Sequence, residues 1–455
     1  MLGFTTLSTL YNINKIYYII DEIYKINESN PDELEVKLEE LKSRIMLNGC
    51  IGIKFTQWFI TKIKVFDDDL NKRISKYFDD VFDNCPEHSI EYTQELFKKE
   101  FNMDINDLLE DIVLIGSGSI GQVYKGKIRG TDKVVAIKVK HPNVDNEINT
   151  IEPIVNMLEV LQSFTYLRNR YKLYINFREF LDDLKLQADF TNEVFNSMRF
   201  SHFYRNNSHI IIPKIFYYTQ SIVISECISG VRYNDLSIYG KSQACLNLIS
   251  FFEDSLLINN FIHCDLHEKN WSVLVEDNQY KLIIYDYGIC YRPTSKDLAN
   301  KLWIAFENND VAMITEIARN DLITNCTPDV AIDIENAIQS ISETHVSSYN
   351  ILSKIVNILS RKENVVINKL IINLIIYFSM IENVLVENNV VSNINQLCVN
   401  PEIMMYDTKM NMLSYSRAHS IYPELCKYIT DTIKIPDGHG LFGDIEHSPL
   451  IFQPI

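Results

Sequence analysis

The sequence predicts an α+β fold with two lobes: a small β-rich N-lobe, a helical C-lobe, and an added helical extension at the N-terminus. Short β-rich runs cluster between residues 112 and 139 around a glycine-rich segment. Amphipathic helical patterns precede this cluster, and nearly everything after Ser295 has helical periodicity. We therefore divide the chain into an extension at 1–108, a β-rich lobe with a long helical insertion at 109–230, and a helical lobe at 231–455.

Composition and charge exclude several classes of protein. The 455 residues include 60 Asp and Glu against 43 Lys and Arg, which gives a formal charge of -17 and a pI near 5.1. Such a charge repels phosphate backbones, so we expect no nucleic-acid partner. With 46% hydrophobic and 23% charged residues, the chain has the composition of a folded globule. Its 9 cysteines include no CxxC pair, which disfavours a disulfide framework or a zinc ribbon and indicates a reducing compartment.

Neither an export signal nor a membrane span is evident in the sequence. Polar residues such as Asn12, Lys15 and Asp21 interrupt the apolar N-terminal stretch. The longest apolar run towards the other end, Leu370–Ile381, still contains Asn373, whereas a transmembrane helix needs about 20 residues. We expect this run to be a buried helix and the protein to be cytoplasmic. The sequence leaves peripheral membrane contact and the oligomeric state open.

Periodicity predicts the individual elements in chain order. Apolar residues at helical spacing predict helices over Asp32–Ile45 and Ile90–Phe101, and further long helices between Glu147 and Phe203. The turn residues Arg129–Lys133 predict a hairpin. The β-rich runs that predict strands are Ile112–Ile115, Val123–Ile128, Val134–Val139, Ile210–Phe216, Ser221–Cys227, Trp271–Val275 and Lys281–Tyr285.

A glycine-rich G-x-G-x-x-G-x-V segment is the strongest local signal. Glycines let a backbone turn sharply and approach phosphate oxygens, although the same spacing is also found in ordinary hairpin turns. Strands on both sides favour a hairpin that covers a nucleotide over a Rossmann turn, because a helix should follow the latter. The residues are Gly116, Ser117, Gly118, Ser119, Ile120, Gly121, Gln122 and Val123.

The next predicted strand carries Val135-Ala136-Ile137-Lys138. A lone lysine in a strand is usually a solvated edge residue. A lysine on an apolar strand directly after a glycine-rich hairpin is instead typical of one that binds the α and β phosphates of a nucleotide. We therefore predict that Lys138 binds phosphates. Glu226, at the end of a later strand, precedes a glycine-containing linker whose backbone is expected to hold adenine.

A second pair of motifs completes the pattern. His263 opens an H-x-D-x-x-x-x-N loop with Asp265 and Asn270, and Asp286-Tyr287-Gly288 follows another predicted strand. In such sites one aspartate orients the phosphoryl acceptor, while an asparagine and a second aspartate hold Mg²⁺ between the phosphates. Carboxylate and carboxamide oxygens suit this hard ion. The ordered motifs predict a protein-kinase-like site for ATP and Mg²⁺, with Asp265 and Lys138 catalytic and Asn270 and Asp286 as metal ligands.

Together these motifs resemble those of the UbiB/AarF family of atypical kinase-like proteins, also called the ADCK group, from about Leu38 to about Asp310. The family's E-x-D-x-x-x-E-x-x-N helix is matched by Gln187, Asp189, Glu193 and Asn196, and its K-x-G-Q signature by Lys54 and Gln57 with Thr56 in place of glycine. The resemblance implies that Glu193 braces Lys138. It also implies a regulatory clamp in which Lys54 meets residue 187.

Three departures from the family pattern bear on activity. Gly116 and Gly118 stand where the family's loop is alanine-rich, which favours closure of the backbone over phosphates. Gln187 replaces a glutamate, so Lys54 would meet a neutral carboxamide instead of a carboxylate and the clamp would weaken. Thr56 adds a side chain to a helix that otherwise presents bare backbone, so the occlusion of the substrate groove that is usual in the family is not expected here.

Several functions remain open on this pattern. The leading hypothesis is an Mg-ATP-dependent phosphotransferase or ATPase, and the resemblance implies a lipid, an isoprenoid quinone or a partner protein as acceptor or regulator. A conventional Ser/Thr protein kinase is favoured by the glycine loop, but no A-P-E sequence follows Asp286-Tyr287-Gly288. An ATP-sensing scaffold with slow turnover fits the same residues. Aminoglycoside-type kinases share the H-x-D-x-x-x-x-N loop but give no reason for the Lys54 helix.

Overall fold

A computed structural model describes residues 18, 31–46, 51–58, 87–164, 177–267, 269–277, 279–308, 310–324, 326–341, 348–360 and 365–387. They belong to two compact units. The first draws on Met1–Phe195 and Lys214–Cys227, and the second on Asn196–Pro213 and Ile228–Ile455. A β-sheet beside a largely helical remainder confirms the predicted α+β class.

The first unit contains one five-stranded sheet and the helices before and after it. Its helices are α1 (Pro31–Met46), a helical segment at 51–58, α2 (Ile90–Phe101), α3 (Ile105–Leu108), α4 (Val144–Ser163), α5 (Phe177–Ala188) and the beginning of α6 (Phe190–Phe203). Its strands are β1 (Leu109–Ser117), β2 (Gly121–Ile128), β3 (Val134–Lys140), β5 (Ile215–Tyr218) and β6 (Ile222–Glu226). These elements confirm both predicted N-terminal helices.

The sheet is antiparallel throughout, in the order β1-β2-β3-β6-β5. Successive side chains of a strand alternate between its two faces. Ile137 and its neighbours Tyr124 and Ile224 face a core built with Phe97 of α2. Lys138 therefore points to the opposite face. The predicted hairpin at 129–133 is present, and its Gly130 takes a left-handed φ of 72°.

The helical insertion after β3 is confirmed as α4 and α5, with residues 165–176 outside the described part. Charged side chains link the two helices: Arg178 meets Glu159 at 2.6 Å and Lys185 meets Glu152 at 2.6 Å. These are surface pairs, so the buried apolar side chains of both helices contribute more to their packing.

The second unit combines short strands with a helical body. Its strands are β4 (Ile210–Ile211), β7 (Ile262–His263), β8 (Trp271–Glu276), β9 (Gln279–Ile284) and β10 (Cys290–Tyr291). Its longer helices are α7 (Ile238–Glu253), α8 (Lys296–Glu307), α9 (Val311–Asn320), α10 (Pro328–Ile341), α11 (Ser348–Ser360) and α12 (Lys369–Glu387), and a π-helical turn at Asp254–Ile258 follows α7. The helices after Ser295 agree with the prediction.

The β-rich run predicted at Ile210–Phe216 contains strands, but it is not one continuous strand. The run divides into β4, which pairs with β9 in the second unit, and β5, which pairs with β6 in the first. Pro213 lies between them, and proline has no N–H to donate to a ladder and fixes its own φ. The division therefore falls where a continuous strand could not keep its hydrogen bonds.

The apolar run in α12 is a buried helix, as predicted. Tyr377 donates a hydrogen bond to the Phe252 carbonyl at 2.7 Å, and Phe378 packs against Trp303 and Phe306. Among the residues that the structure describes, no helix combines the length and apolarity needed to cross a bilayer.

Candidate active site

The glycine-rich loop makes a tight turn between β1 and β2. The Gly118 N–H donates to the Gly121 carbonyl at 2.9 Å. A Cβ on Gly121 would lie 2.6 Å from the carbonyl oxygen of Val139 and 3.1 Å from the ring of Phe190. Packing therefore requires glycine at position 121.

Packing does not require the other two glycines of the loop. A Cβ on Gly116 would meet no atom within 4 Å, and one on Gly118 would make only an ordinary 3.4 Å contact with the Gly121 carbonyl. Neither residue has a left-handed φ. The bare backbone at these positions is consistent with a surface that a phosphate group approaches closely.

The side chains of the loop point in different directions. Ser119 and Ile120 are buried, and Ser117 is half-buried. Gln122 is fully buried on the core face of the sheet, so its side chain does not line the face that carries Lys138. Val123 lies directly beside Lys138 on that face.

Lys138 and Glu193 form a short ion pair. The Lys138 Nζ donates to Glu193 Oε2 at 2.7 Å, and the two side chains are 21% and 10% exposed. Lys138 also lies over the ring of Phe190, 5.2 Å from its centroid. Glu193 stands in the first turn of α6, where the helix dipole favours a negative charge. The structure thus brings together a strand residue and a helix residue that are 55 positions apart.

Asp189 and Gln187 interact locally at the junction of α5 and α6. The Asp189 carboxylate accepts hydrogen bonds from the Thr191 N–H at 3.0 Å and the Thr191 hydroxyl at 2.6 Å, which satisfies a backbone donor at the start of α6. The Gln187 amide donates to the Asp183 carbonyl of its own helix at 3.2 Å.

The structure does not join Lys54 to Gln187, since no hydrogen bond between them is found in the described part of the chain. The extra side chain of Thr56 bonds back to the Gly52 carbonyl at 2.9 Å and is buried. Lys54 and Gln57 are half-buried in the helical segment 51–58. Phe55 attaches this segment to α5 by an edge-to-face contact with Phe180, with ring centroids 5.1 Å apart. A regulatory role for these residues stays a prediction.

Glu226 ends β6 with an exposed side chain, and its N–H donates to the Lys214 carbonyl at 2.8 Å. The Cys227 N–H then donates to the Val134 carbonyl at 3.2 Å. In the second unit, a Cβ on Gly230 would lie 2.0 Å from Ser272 Oγ, so glycine is required there. A backbone hydrogen bond thus holds Cys227 within the first unit, and close packing surrounds Gly230 within the second.

The second unit organises the H-x-D-x-x-x-x-N loop around its asparagine. The Asn270 amide donates to the Asp265 carbonyl at 2.7 Å, and its own N–H donates to the His267 carbonyl at 2.9 Å. The Tyr285 N–H in turn donates to the Asn270 carbonyl at 2.9 Å, which ties the loop to the strand before Asp286. The carboxamide oxygen of Asn270 is not used in these bonds.

His263 connects the two acidic segments. Its Nε2–H donates to the Asp286 carbonyl, and its Nδ1 accepts the Asp265 N–H at 3.2 Å. Complete burial lowers the pKa of His263, so the ring stays neutral and holds this one tautomer. Asp286 also accepts the Gly288 N–H at 2.8 Å, and Asn196 of α6 donates to the Tyr287 carbonyl at 3.0 Å. Single-sequence reasoning gave His263 no role of its own.

The oxygen ligands available at this loop are few and hard. No cluster of three or more His, Cys, Asp or Glu side chains suited to a metal exists in the described residues. Asn270 and Asp286 fit a Mg²⁺ ion that takes its remaining ligands from phosphates and water, since this ion is usually held by one or two protein groups. These two residues do not complete the coordination sphere of a metal ion by themselves.

The sheet with its glycine hairpin and ion-paired lysine, and the histidine-fixed aspartates of the second unit, define a protein-kinase-like protein. The chain belongs to the ABC1 atypical kinase-like family, because the model of the ABC1 atypical kinase-like domain matches residues 80–318. This match confirms the resemblance on which Glu193 was assigned.

Three proteins are similar to this chain. A probable serine/threonine-protein kinase, abkC, of Dictyostelium discoideum is 29% identical over 56% of this chain and 38% of its own length. AarF domain-containing protein kinase 1 of Mus musculus is 25% identical over 45% of this chain and 41% of its own. The Mycobacterium tuberculosis protein Rv3197, solved with erythromycin, is 17% identical with a TM-score of 0.44, over 61% of this chain and 80% of that one. The chain spans about two fifths of the length of these two kinases.

Proposed function

We propose that this chain is an Mg-ATP-dependent phosphotransferase or ATPase. The ion pair between Lys138 and Glu193 carries the proposal. In kinase-like sites this pair holds the lysine in position for the α and β phosphates. Its two members are far apart in sequence and lie on different elements, so no local helix or strand geometry accounts for the contact.

The remaining roles follow from the chemistry of each residue. Gly116 and Gly118 offer bare backbone to the phosphates. Asp265 orients the acceptor hydroxyl or a water, and Asn270 and Asp286 hold Mg²⁺, which would neutralise charge on the transferred phosphoryl group. His263 keeps Asp265 and the Asp286 backbone in register without itself touching the nucleotide.

The acceptor is proposed by class. The family resemblance supports a lipid or isoprenoid-quinone-type molecule, or a partner protein, as acceptor or regulator. The names of the relatives support a protein acceptor. A simple experiment distinguishes these two classes of acceptor, because a lipid acceptor requires a bilayer or micelle and a protein acceptor does not.

The test measures γ-phosphate release from Mg-ATP with and without liposomes, in the full chain. Asp286→Asn removes the charge on one proposed metal ligand and keeps the side-chain shape. Asp132→Asn makes the same change at a fully exposed hairpin position. We expect Asp286→Asn to lower release by at least roughly a hundredfold, since electrostatic stabilisation is usually the largest catalytic contribution, and Asp132→Asn to match wild type.

The outcomes separate the alternatives. Equal background release from wild type and Asp286→Asn would overturn catalysis, and retained ATP binding would then identify a scaffold that senses the nucleotide. Transfer of labelled phosphate to generic protein substrates would assign a conventional protein kinase. Release that depends on liposomes would support a lipid acceptor or regulator.

A further inference from the structure

A buried histidine, His141, forms hydrogen bonds with the backbone of the glycine-rich loop. The His141 Nε2 lies 2.9 Å from the Gly118 carbonyl oxygen. The backbone N–H of His141 also donates to the Ile120 carbonyl at 2.9 Å. His141, the residue directly after β3, thus binds two carbonyls of the loop.

Further polar groups extend this contact to α2. The His88 Nδ1 lies 2.8 Å from the His141 Nδ1, and the His88 Nε2 lies 2.9 Å from the Thr93 hydroxyl. The Thr93 hydroxyl lies 3.0 Å from the Tyr124 hydroxyl, which is bonded to the Gln122 amide nitrogen. Gln122 also exchanges two hydrogen bonds with the His88 backbone, at 2.9 and 3.0 Å, which fixes the orientation of its amide.

The two ends of this relay determine the direction of every hydrogen bond in it. A carbonyl can only accept, so His141 must carry its proton on Nε2 and its bare Nδ1 must accept from His88. His88 then carries its proton on Nδ1 and accepts from the Thr93 hydroxyl through Nε2. Thr93 accepts from Tyr124, and Tyr124 accepts from the amide nitrogen of Gln122, which can only donate.

This arrangement requires both imidazoles to be neutral. A proton added to His141 would place two N–H groups 2.8 Å apart with no acceptor between them. Burial, and then the neighbouring His141, lower the pKa of His88 to about 4, and burial lowers the pKa of His141. Among the described residues, Tyr92 of α2 makes an edge-to-face contact with the His88 ring, and Tyr124 of β2 is part of the chain of hydrogen bonds. Lys140 of β3, the chain neighbour of His141, is bound to Asp145 of α4.

We propose that His88 and His141 are positioning residues for the glycine-rich loop, joined in a one-directional hydrogen-bond relay that ends on the Gly118 carbonyl. His88 comes from the segment before the sheet, so the relay makes that segment part of the loop's support. The assignment of the two tautomers follows from contacts within the protein and does not rest on the proposed function. The effect on Mg-ATP rests on the proposed function.

The direct test is the protonation of the two rings in wild-type protein. Long-range ¹H–¹⁵N spectra of the full chain, labelled at histidine, are assigned by comparison with His88→Phe and His141→Phe. At about pH 7 we expect both rings to be neutral, with the proton of His141 on Nε2 and that of His88 on Nδ1, and we expect His88 to stay neutral to about pH 5. A proton on Nε2 of His88, or a charged ring in the pair at about pH 7, would overturn the relay without any reference to ATP.

Hydrogen exchange of the loop amides then measures positioning without nucleotide. His141→Phe keeps an aromatic ring but removes the donor to Gly118, and His141→Gln restores an N–H. Tyr92→Phe is the matched control, because its ring contacts His88 but its hydroxyl is not part of the relay. We expect faster exchange at 118–121 in His141→Phe, partial rescue in His141→Gln, and no change in Tyr92→Phe.

The same variants are titrated with Mg-ATP. We expect His141→Phe to weaken binding roughly threefold to tenfold, as loss of one neutral hydrogen bond does. Loop exchange in His141→Phe equal to wild type would refute the positioning role. Wild type that shows the predicted tautomers and exchange but no ATP binding would refute the proposed function and leave the relay intact.

Discussion

Alanine at two glycines of the same loop should have opposite effects on stability. A Cβ on Gly121 would approach the Val139 carbonyl to 2.6 Å, closer than the 3.0 Å that real contacts essentially never pass. This carbonyl belongs to β3, which pairs with β2 at this point, so it cannot move without breaking the ladder. Overpacking costs typically 1–3 kcal/mol, and we expect Gly121→Ala to lower the free energy of unfolding by about 2–3 kcal/mol.

Gly116→Ala places its methyl group in open space. Because alanine also restricts the unfolded chain, we expect stability equal to wild type or higher by about 0.4–1 kcal/mol. The substitution should instead weaken the binding of Mg-ATP. A methyl group that prevents one backbone amide from reaching a phosphate removes a charge-assisted hydrogen bond, so Mg-ATP affinity should fall roughly tenfold to a hundredfold.

Urea unfolding followed by circular dichroism gives the stabilities, and calorimetric titration gives the affinities. The reasoning fails if Gly121→Ala unfolds within about 0.5 kcal/mol of wild type. Mg-ATP affinity unchanged in a folded Gly116→Ala would show that the backbone at Gly116 does not approach a phosphate.

Three further predictions concern other contacts. Glu193→Gln replaces the ion pair by a weaker hydrogen bond from the Lys138 ammonium to a neutral amide oxygen, so urea unfolding should show a loss of about 1 kcal/mol, and a double-mutant cycle with Lys138→Met should show that the two changes are not additive. Because folding lowers the pKa of His88 from 6.5 to about 4, the unfolded chain binds more protons between these values. Stability should therefore decline as pH falls through this window, with a smaller decline in His88→Phe. Gly230→Ala would place Cβ 2.0 Å from Ser272 Oγ, so it should destabilise by about 1–3 kcal/mol, and Ser272→Gly should restore part of the loss.

Much of the fold was readable from periodicity, because each strand and helix buries one regular face. Ile90–Phe101 was predicted with the bounds that the structure shows, and Val134–Val139 differs from β3 by one residue. The run at Ile210–Phe216 failed because its apolar residues continue across Pro213, while its hydrogen bonds do not. The apolar pattern of a sequence predicts which residues are buried. It does not predict which strands pair, because pairing depends on the backbone N–H groups that can donate hydrogen bonds.

The site divides in a similar way. The loop residues and Lys138 follow from local motifs, because their chemistry depends on spacing within one hairpin. The partnership of Glu193 with Lys138 crosses a helical insertion and came only from the family resemblance. His88 was missed altogether, since a single histidine before a helix has no pattern, and its role depends on the carbonyl and hydroxyl groups that surround it.

The packing of α12 sets a practical limit on shortening the protein. The family match ends at residue 318, and a truncation guided by it would remove the side chains of Tyr377 and Phe378 from among Phe252, Trp303 and Phe306. Deleting α12 would expose a large apolar surface on the remaining fragment. Biochemists preparing a trimmed version for crystallisation should keep the chain at least through Glu387, or expect insoluble material whose inactivity says nothing about catalysis.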